Sequence, residues 1–254
     1  MRSFVYAGAA TMFAFAMTAL GAAAVFFFGG NRSERLERTT LGFAGGVMSA
    51  AAVFSLLLPA QERAQALGML PWAVLCAGTL LGAGMIFLMD MLLARLGPVQ
   101  RAGRSGARAA LLYGAVTLHN IPEGMAVGLA FALAADAGGA ALYAACALAL
   151  GIGLQNIPEG AAVALPLSQC GMGRVRSFAL GALSGAAEPV FGLLAALLAV
   201  RAAALMPGLM AFSAGAMLMV VFSEMIPKAA EGRDGTAAAI AGYALMMALD
   251  VALG

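Results

Sequence analysis

Long hydrophobic runs, separated by short polar or glycine-bearing breaks, dominate the chain. A membrane-spanning helix needs about 20 consecutive, mostly apolar residues. Eight stretches meet this requirement, and they cover residues 4–28, 41–60, 70–93, 110–134, 140–165, 177–200, 206–227 and 236–253. The pattern therefore predicts an all-α integral membrane protein with eight transmembrane helices, forming a single domain over residues 1–254.

The composition agrees with a bilayer environment. Of the 254 residues, 63% are hydrophobic and only 10% are charged, whereas soluble domains carry about 25% charged residues. We therefore expect most of the surface to contact lipid. The net charge of +2 gives no indication of a nucleic-acid partner.

Basic residues fall mainly on one side of the predicted bundle. The loops after the odd-numbered stretches hold 11 of the 14 basic residues, namely Arg32, Arg35, Arg38, Arg95, Arg101, Arg104, Arg108, Arg174, Arg176, Lys228 and Arg233. Because positively charged loops stay in the cytoplasm, this bias predicts a multi-pass protein of the inner or plasma membrane with both termini outside.

Two sequence repeats relate the halves of the chain. HNIPEGMAVGLA at 119–130 matches QNIPEGAAVALP at 155–166, on neighbouring stretches that run in opposite directions. A second pair, FAGGVMSAAAVFSLLLP at 43–59 and FSAGAMLMVVFSEMIP at 212–227, aligns with a one-residue slip. The pairs predict an inverted repeat in which spans 1–3 and 6–8 flank spans 4 and 5 (a 3+2+3 arrangement), with a functional site near the membrane midplane.

The first motif places His119 and Asn120 four and three residues before Glu123, and the second motif repeats this spacing. Residues three or four apart share a helix face. The glycine after each glutamate permits close helix approach, and the preceding prolines, Pro122 and Pro158, predict broken helices that line a cavity. The candidate ligands from the two motifs are His119, Asn120, Glu123, Gln155, Asn156 and Glu159.

Glu188 in the sixth stretch adds a third carboxylate. A charged side chain at the bilayer centre costs about 2.5–3.5 kcal/mol on insertion scales, and stretches 4 to 6 contain no Lys or Arg to neutralise it. A bound cation, or protons, must do so. One imidazole with several carboxylate and amide oxygens suits zinc or another first-row divalent ion.

The paired motifs, H-N-x-P-E-G and then x-N-x-P-E-G on the next span, resemble those of the ZIP (Zrt/Irt-like protein) family of metal transporters. The resemblance covers essentially the whole chain and implies import of zinc or related divalent ions through a binuclear site. One metal would bind His119, Glu123, Gln155 and Glu159. The second would bind Asn120, Asn156 and Glu188, with Glu123 and Glu159 bridging. Spans 1, 4, 5 and 6 would move as a transport bundle against the other four.

Many family members have His where this chain has Gln155, so the chain looks like the GufA-type branch, which is broad in metal choice. Cadmium, manganese, iron and cobalt are therefore alternatives to zinc. The resemblance also implies a transport pathway, with Asp90 and Glu224 near the cytoplasmic end and Met48, Ser55 and Met217 near the outer entrance. We interpret Asp250 as a boundary residue.

Three other functions are alternatives to metal import. A proton-coupled metal exporter would use the same site, and a metal sensor would use it without transport. An intramembrane metalloprotease requires a HExxH motif, which a chain with one His cannot supply; we therefore predict that the protein is not an enzyme. The oligomeric state stays open, with a homodimer as one alternative.

Overall fold

The computed structural model describes residues 2–28, 34–93, 97–134, 139–169 and 171–253, which fold into helices joined by short turns. Side chains at several helical positions, among them His119 and Pro122, lie outside this description. The α-helices are α1 (Arg2–Ala22), α2 (Ala24–Phe28), α3 (Glu34–Ala51), α4 (Leu58–Ala66), α5 (Pro71–Leu93), α6 (Gly97–Ala134), α7 (Gly139–Gln169), α8 (Arg174–Ser184), α9 (Ala187–Leu197), α10 (Ala199–Val220), α11 (Ile226–Ala229) and α12 (Arg233–Leu253).

Most of these helices have the length and apolar character of membrane spans. Seven stretches of the described chain qualify: Phe4–Phe28, Glu34–Ala66, Pro71–Leu92, Gly139–Gln169, Arg174–Leu197, Ala204–Ala229 and Arg233–Ala252. They match seven of the eight predicted spans. The remaining one, 110–134, lies within α6, whose side chains are described only in part. The all-α, multi-pass membrane class is confirmed, and the total of eight spans stays a prediction.

Large apolar side chains cover much of the outer surface. Phe27, Trp72, Leu80 and Tyr143 are between 70% and 83% exposed. Contiguous apolar surface of this kind is rare on soluble monomers, but in a bilayer it faces hydrocarbon. Because this surface contacts lipid instead of water, the chain needs few charged residues for solubility.

The helices pack as two groups. In one group α1 lies along α7 and α6 lies along α9, while in the other α3 lies along α12 and α5 along α10. The groups meet where α10 contacts α6 and α3 contacts α7. Apolar side chains such as Met48, Leu129 and Met217 are buried in the core cluster shared by both groups.

Two π-helical segments, Ala52–Leu57 and Val221–Met225, interrupt otherwise continuous helices. A proline ring clashes with the carbonyl four residues earlier and offers no N–H to it. Pro59 and Pro227 place this conflict at Ser55 and Ser223, in the middle of each segment. The wider π turn resolves it, because the backbone N–H groups of Leu58 and Ile226 bond to carbonyls five residues back.

A break falls in the sixth predicted span instead of in the two motif-bearing spans. The prediction that Pro122 and Pro158 break their helices is wrong, because α6 and α7 stay helical through both. Neighbouring helices and side chains can compensate for a proline in a membrane helix. Residues 185–186 instead form a turn between α8 and α9, and Glu188 follows it.

Candidate metal centre

Six of the seven predicted ligands lie in the interior of the helix bundle. Each is at most 1% exposed: Asn120, Glu123, Gln155, Asn156, Glu159 and Glu188. Acidic side chains are almost never fully buried without a partner, so this cluster requires a compensating interaction. The side chain of His119 lies outside the described residues, and its role as a ligand stays a prediction.

The glycine after each motif glutamate brings a neighbouring helix against the site. A Cβ built on Gly124 would lie 2.5 Å from Cα of Glu188, and one built on Gly160 would lie 2.9 Å from the carbonyl carbon of Thr18. Both distances are shorter than real Cβ contacts, so only glycine fits. The predicted close helix approach is therefore found at both motifs, with α9 at the first and α1 at the second.

The two motif asparagines are held by carbonyl groups of those same neighbouring spans. Asn120 Nδ2 donates to the Ser184 carbonyl at 2.9 Å, and Asn156 Nδ2 donates to the Ala14 carbonyl at 3.2 Å. Anchoring through nitrogen fixes each amide and leaves its oxygen to accept other interactions. In both asparagines the amide nitrogen makes the anchoring bond and the side-chain oxygen makes none with the described residues.

Glu188 is positioned by two donors. Asn156 Nδ2 donates to Glu188 Oε1 at 2.9 Å, and the Thr18 hydroxyl donates to the same oxygen at 3.2 Å. Thr18 belongs to the first predicted span, which contains none of the predicted site residues. Its only sequence signal is a polar side chain within an apolar run.

A chain of polar contacts connects the site to a polar cavity. Gln155 Nε2 donates to Glu123 Oε1. The Ser55 hydroxyl donates to Asp250 Oδ1 at 2.7 Å and lies 3.4 Å from Gln155 Oε1. Ser55 and Asp250 line a cavity of about 420 Å³, together with Glu62 and Arg63. Interpreting Asp250 as a boundary residue misses this role.

The three carboxylates lie in one buried region. Glu123, Glu159 and Glu188 are all at most 1% exposed, and Glu123 and Glu188 contact consecutive residues of α7, Gln155 and Asn156. Like charges in a medium of low dielectric constant repel strongly. A divalent cation between them would convert this repulsion into attraction.

The other predicted pathway residues fall in two places. Asp90 and Glu224 line one small cavity of about 30 Å³, beside Ser223. Met48 and Met217 are fully buried in the apolar core. Their predicted pathway roles are not tested by these positions, and Met packing alone accounts for the last two.

Three oxygen atoms of the site are buried and make no hydrogen bond within the described part of the chain: Asn120 Oδ1, Asn156 Oδ1 and Glu188 Oε2. Such atoms are costly unless a further partner compensates them. They are hard oxygen donors of the kind that divalent cations accept. Among the described side chains, however, no three His, Cys, Asp or Glu residues already converge closely enough to hold a metal.

The chain is thus a multi-pass membrane protein with a polar site, formed by three carboxylates and several amide groups, inside its helix bundle. Comparison with known proteins then identifies the family. The chain belongs to the ZIP family, because the family model described as "ZIP Zinc transporter" matches residues 98–250. That region contains both motifs and Glu188, and the predicted resemblance is confirmed.

Individual relatives match over nearly the full length. The chain is 33% identical to "Zinc transporter ZIP11" of Homo sapiens, with 96% of each chain covered. It is 36% identical to "Zinc transporter GufA" of Myxococcus xanthus, over 96% of this chain and 98% of the relative. It is 37% identical to "Zinc transporter ZIPB" of Bordetella bronchiseptica, over 94% of this chain and 79% of the relative.

Proposed function

We propose that this protein transports divalent metal ions, with zinc as the main substrate, from outside to the cytoplasm through the buried carboxylate and amide site. The observation that carries the proposal is the burial of Glu123, Glu159 and Glu188 at the contact of α1, α6, α7 and α9. Zinc transporters among the relatives support the choice of metal.

The donor set favours a binuclear site. One metal would bind His119, Glu123, Gln155 and Glu159; the other would bind Asn120, Asn156 and Glu188; the first two glutamates would bridge. The carboxylates would neutralise most of the charge of two divalent ions. Asn120 and Asn156 already present unbonded oxygens, whereas Gln155 directs its nitrogen at Glu123 and would have to turn its amide before its oxygen could bind metal.

Corresponding contacts support the inverted 3+2+3 repeat and its eight spans. The first motif contacts Ser184 and Glu188, four residues apart, while the second contacts Ala14 and Thr18, also four apart. The π-helical segments likewise occupy matching positions in the other repeated pair. In a pseudo-two-fold arrangement, spans 1, 4, 5 and 6 form the transport bundle and the remaining four form the scaffold.

The outer route would begin at the cavity of Ser55 and Asp250 and pass Gln155 to the site. The inner route would leave through the cavity of Asp90 and Glu224. The outer and inner ends are assigned by the positive-inside rule, which places both termini outside and the protein in the cell membrane. The inward direction of transport is what the family resemblance implies. Met48 and Met217 would close the outer side when the bundle moves inward.

The neutral Gln155 broadens the metal choice. An amide oxygen is a harder and weaker donor than imidazole, so it discriminates less strongly for zinc. Cadmium, manganese, iron and cobalt are therefore expected as competing substrates.

Zinc uptake into proteoliposomes tests the proposal. The purified chain is reconstituted, a zinc gradient is imposed, and a trapped dye reports arrival, with wild type compared to Glu123→Ala and Glu159→Ala. Glu34→Ala is the matched control, because that carboxylate is 83% exposed. We expect saturable uptake that both buried variants lose and the control retains. Binding of zinc without uptake under an imposed gradient would contradict transport and favour a sensor.

A further inference from the structure

A second, apolar cleft lies between the two helix groups. It has a volume of about 620 Å³, within the range of about 300–1,000 Å³ typical of small-molecule sites. Phe27 and Ile157 belong to the wall formed by the α1–α2 and α7 side, and Thr40, Phe43 and Ala238 belong to the wall formed by α3 and α12. The cleft therefore contacts both the proposed transport bundle and the proposed scaffold.

The cleft reaches the surface of the bundle. Phe27 is 83% exposed and Phe28 is 51% exposed, and both line it. Its lining is almost entirely aliphatic and aromatic, so a flexible hydrocarbon chain from the bilayer fits its chemistry. Phe28 directly precedes residues 29–33, a predicted loop that the proposed orientation places on the cytoplasmic side. We therefore assign this end of the cleft to the cytoplasmic side.

Guanidinium groups flank the same end of the cleft from both walls. Arg174 Nη1 donates to the Phe26 carbonyl at 3.4 Å, one residue before Phe27. On the other wall, Arg35 lies one helical turn before the lining residue Thr39, which donates to the Arg35 carbonyl, and its side chain is 79% exposed. Arg38 lies on the same wall but is 20% exposed and is paired with two carboxylates, those of Glu34 and Asp234.

Arginine is well suited to phosphate, which it binds through parallel N–H donors. Basic pockets between membrane helices on the cytoplasmic side are typical sites for anionic lipid head groups. Arg35 also bonds Asp234 at 3.4 Å, whereas Arg174 donates to a backbone carbonyl, so Arg174 is the stronger candidate.

We propose that this cleft binds one anionic phospholipid of the inner leaflet, with an acyl chain between the two helix groups and its phosphate beside Arg174 and Arg35. The inference rests on the orientation and helix grouping of the proposed function. The lipid is defined by its chemistry: a negative head group joined to a long hydrocarbon chain.

Native mass spectrometry of the full chain in detergent tests the site without zinc. Phosphatidylglycerol and phosphatidylcholine with identical acyl chains are added separately. We expect preferential binding of phosphatidylglycerol, and Arg174→Gln should lower it about fivefold, the effect of one basic residue near an anionic surface. Arg176→Gln is the matched control, since it removes the same charge two residues later on α8 and is exposed.

A second pair of variants tests the hydrocarbon end. Ala238→Leu places a larger side chain in the cleft and should lower the binding of both lipids, whereas Ala237→Leu adds the same atoms at an exposed neighbouring position. Size-exclusion chromatography confirms that each variant is folded. Equal binding of the two lipids by wild type, equal losses from Arg174→Gln and Arg176→Gln, or no loss from Ala238→Leu would overturn the proposal.

The two proposals fail separately. If the wild-type chain takes up no zinc in the proteoliposome assay but still binds phosphatidylglycerol selectively, the proposed function is contradicted and the lipid site stands. Retained zinc uptake with unselective lipid binding would do the reverse.

Discussion

Thr18 allows a direct test of how the third carboxylate is held in place. Its hydroxyl donates to Glu188 Oε1 at 3.2 Å and lies 3.4 Å from the Ala14 carbonyl. Thr18→Val preserves the shape of the side chain and removes the donor. A hydrogen bond to a charged group contributes about 1.5–3 kcal/mol. Because Asn156 still donates to the same oxygen, we expect the lower end of this range.

A change of this size corresponds to about tenfold weaker zinc binding, measured by isothermal titration calorimetry on the purified chain. Thr11→Val is the matched control: Thr11 is equally buried on α1, but its hydroxyl donates to the Ala7 carbonyl of its own helix at 2.8 Å. Thr18→Ser should restore most of the affinity. The reasoning is refuted if Thr18→Val binds zinc like wild type, or if both valine variants lose affinity equally.

Three further predictions follow from other contacts. Gly124→Ala should lower the thermal unfolding midpoint, because overpacking costs about 1–3 kcal/mol. In the control Gly84→Ala the added Cβ meets no atom within 4 Å, so the midpoint should stay unchanged or rise. Similar midpoints for the two variants would contradict the close packing at Gly124. Asp250→Asn should raise the KM of zinc uptake in proteoliposomes more than it lowers the maximal rate, since it weakens capture in the outer cavity; an unchanged KM would exclude that role. Gln155→His should increase the ratio of zinc to manganese uptake in competition assays, because imidazole favours zinc, and an unchanged ratio would show that this position does not set metal choice.

The sequence predicts features that depend on local pattern. Seven spans follow from runs of apolar residues, and the burial of Glu123 and Glu159 follows from their place within such runs. The glycines after these glutamates also predict the close helix packing, because two backbones can approach only where a residue has no side chain. Each of these inferences uses neighbours within one or two helical turns.

The remaining features depend on contacts between distant parts of the chain. Thr18 bonds a residue 170 positions away and Asp250 bonds one 195 positions away, so neither partner can be read from local spacing. Proline position is an incomplete guide: α7 continues through Pro158, whereas the chain breaks at residues 185–186, where the ring of Pro189 conflicts with the carbonyl four residues earlier. Packing against neighbouring helices decides whether the carbonyl groups that a proline leaves unbonded find other partners, and the sequence does not show that packing.

The π-helical segments have a consequence for how the chain can vary. Inserting one residue into an α-helix turns everything beyond it by about 100°, which would face a buried polar residue towards lipid. A π turn accommodates the extra residue within itself. The first segment has six residues and the second has five, and the two sequence copies that contain them differ in length by one residue. We therefore expect related chains to tolerate single-residue insertions and deletions at these two segments, with Ser55 and Ser223 still on the same helix face.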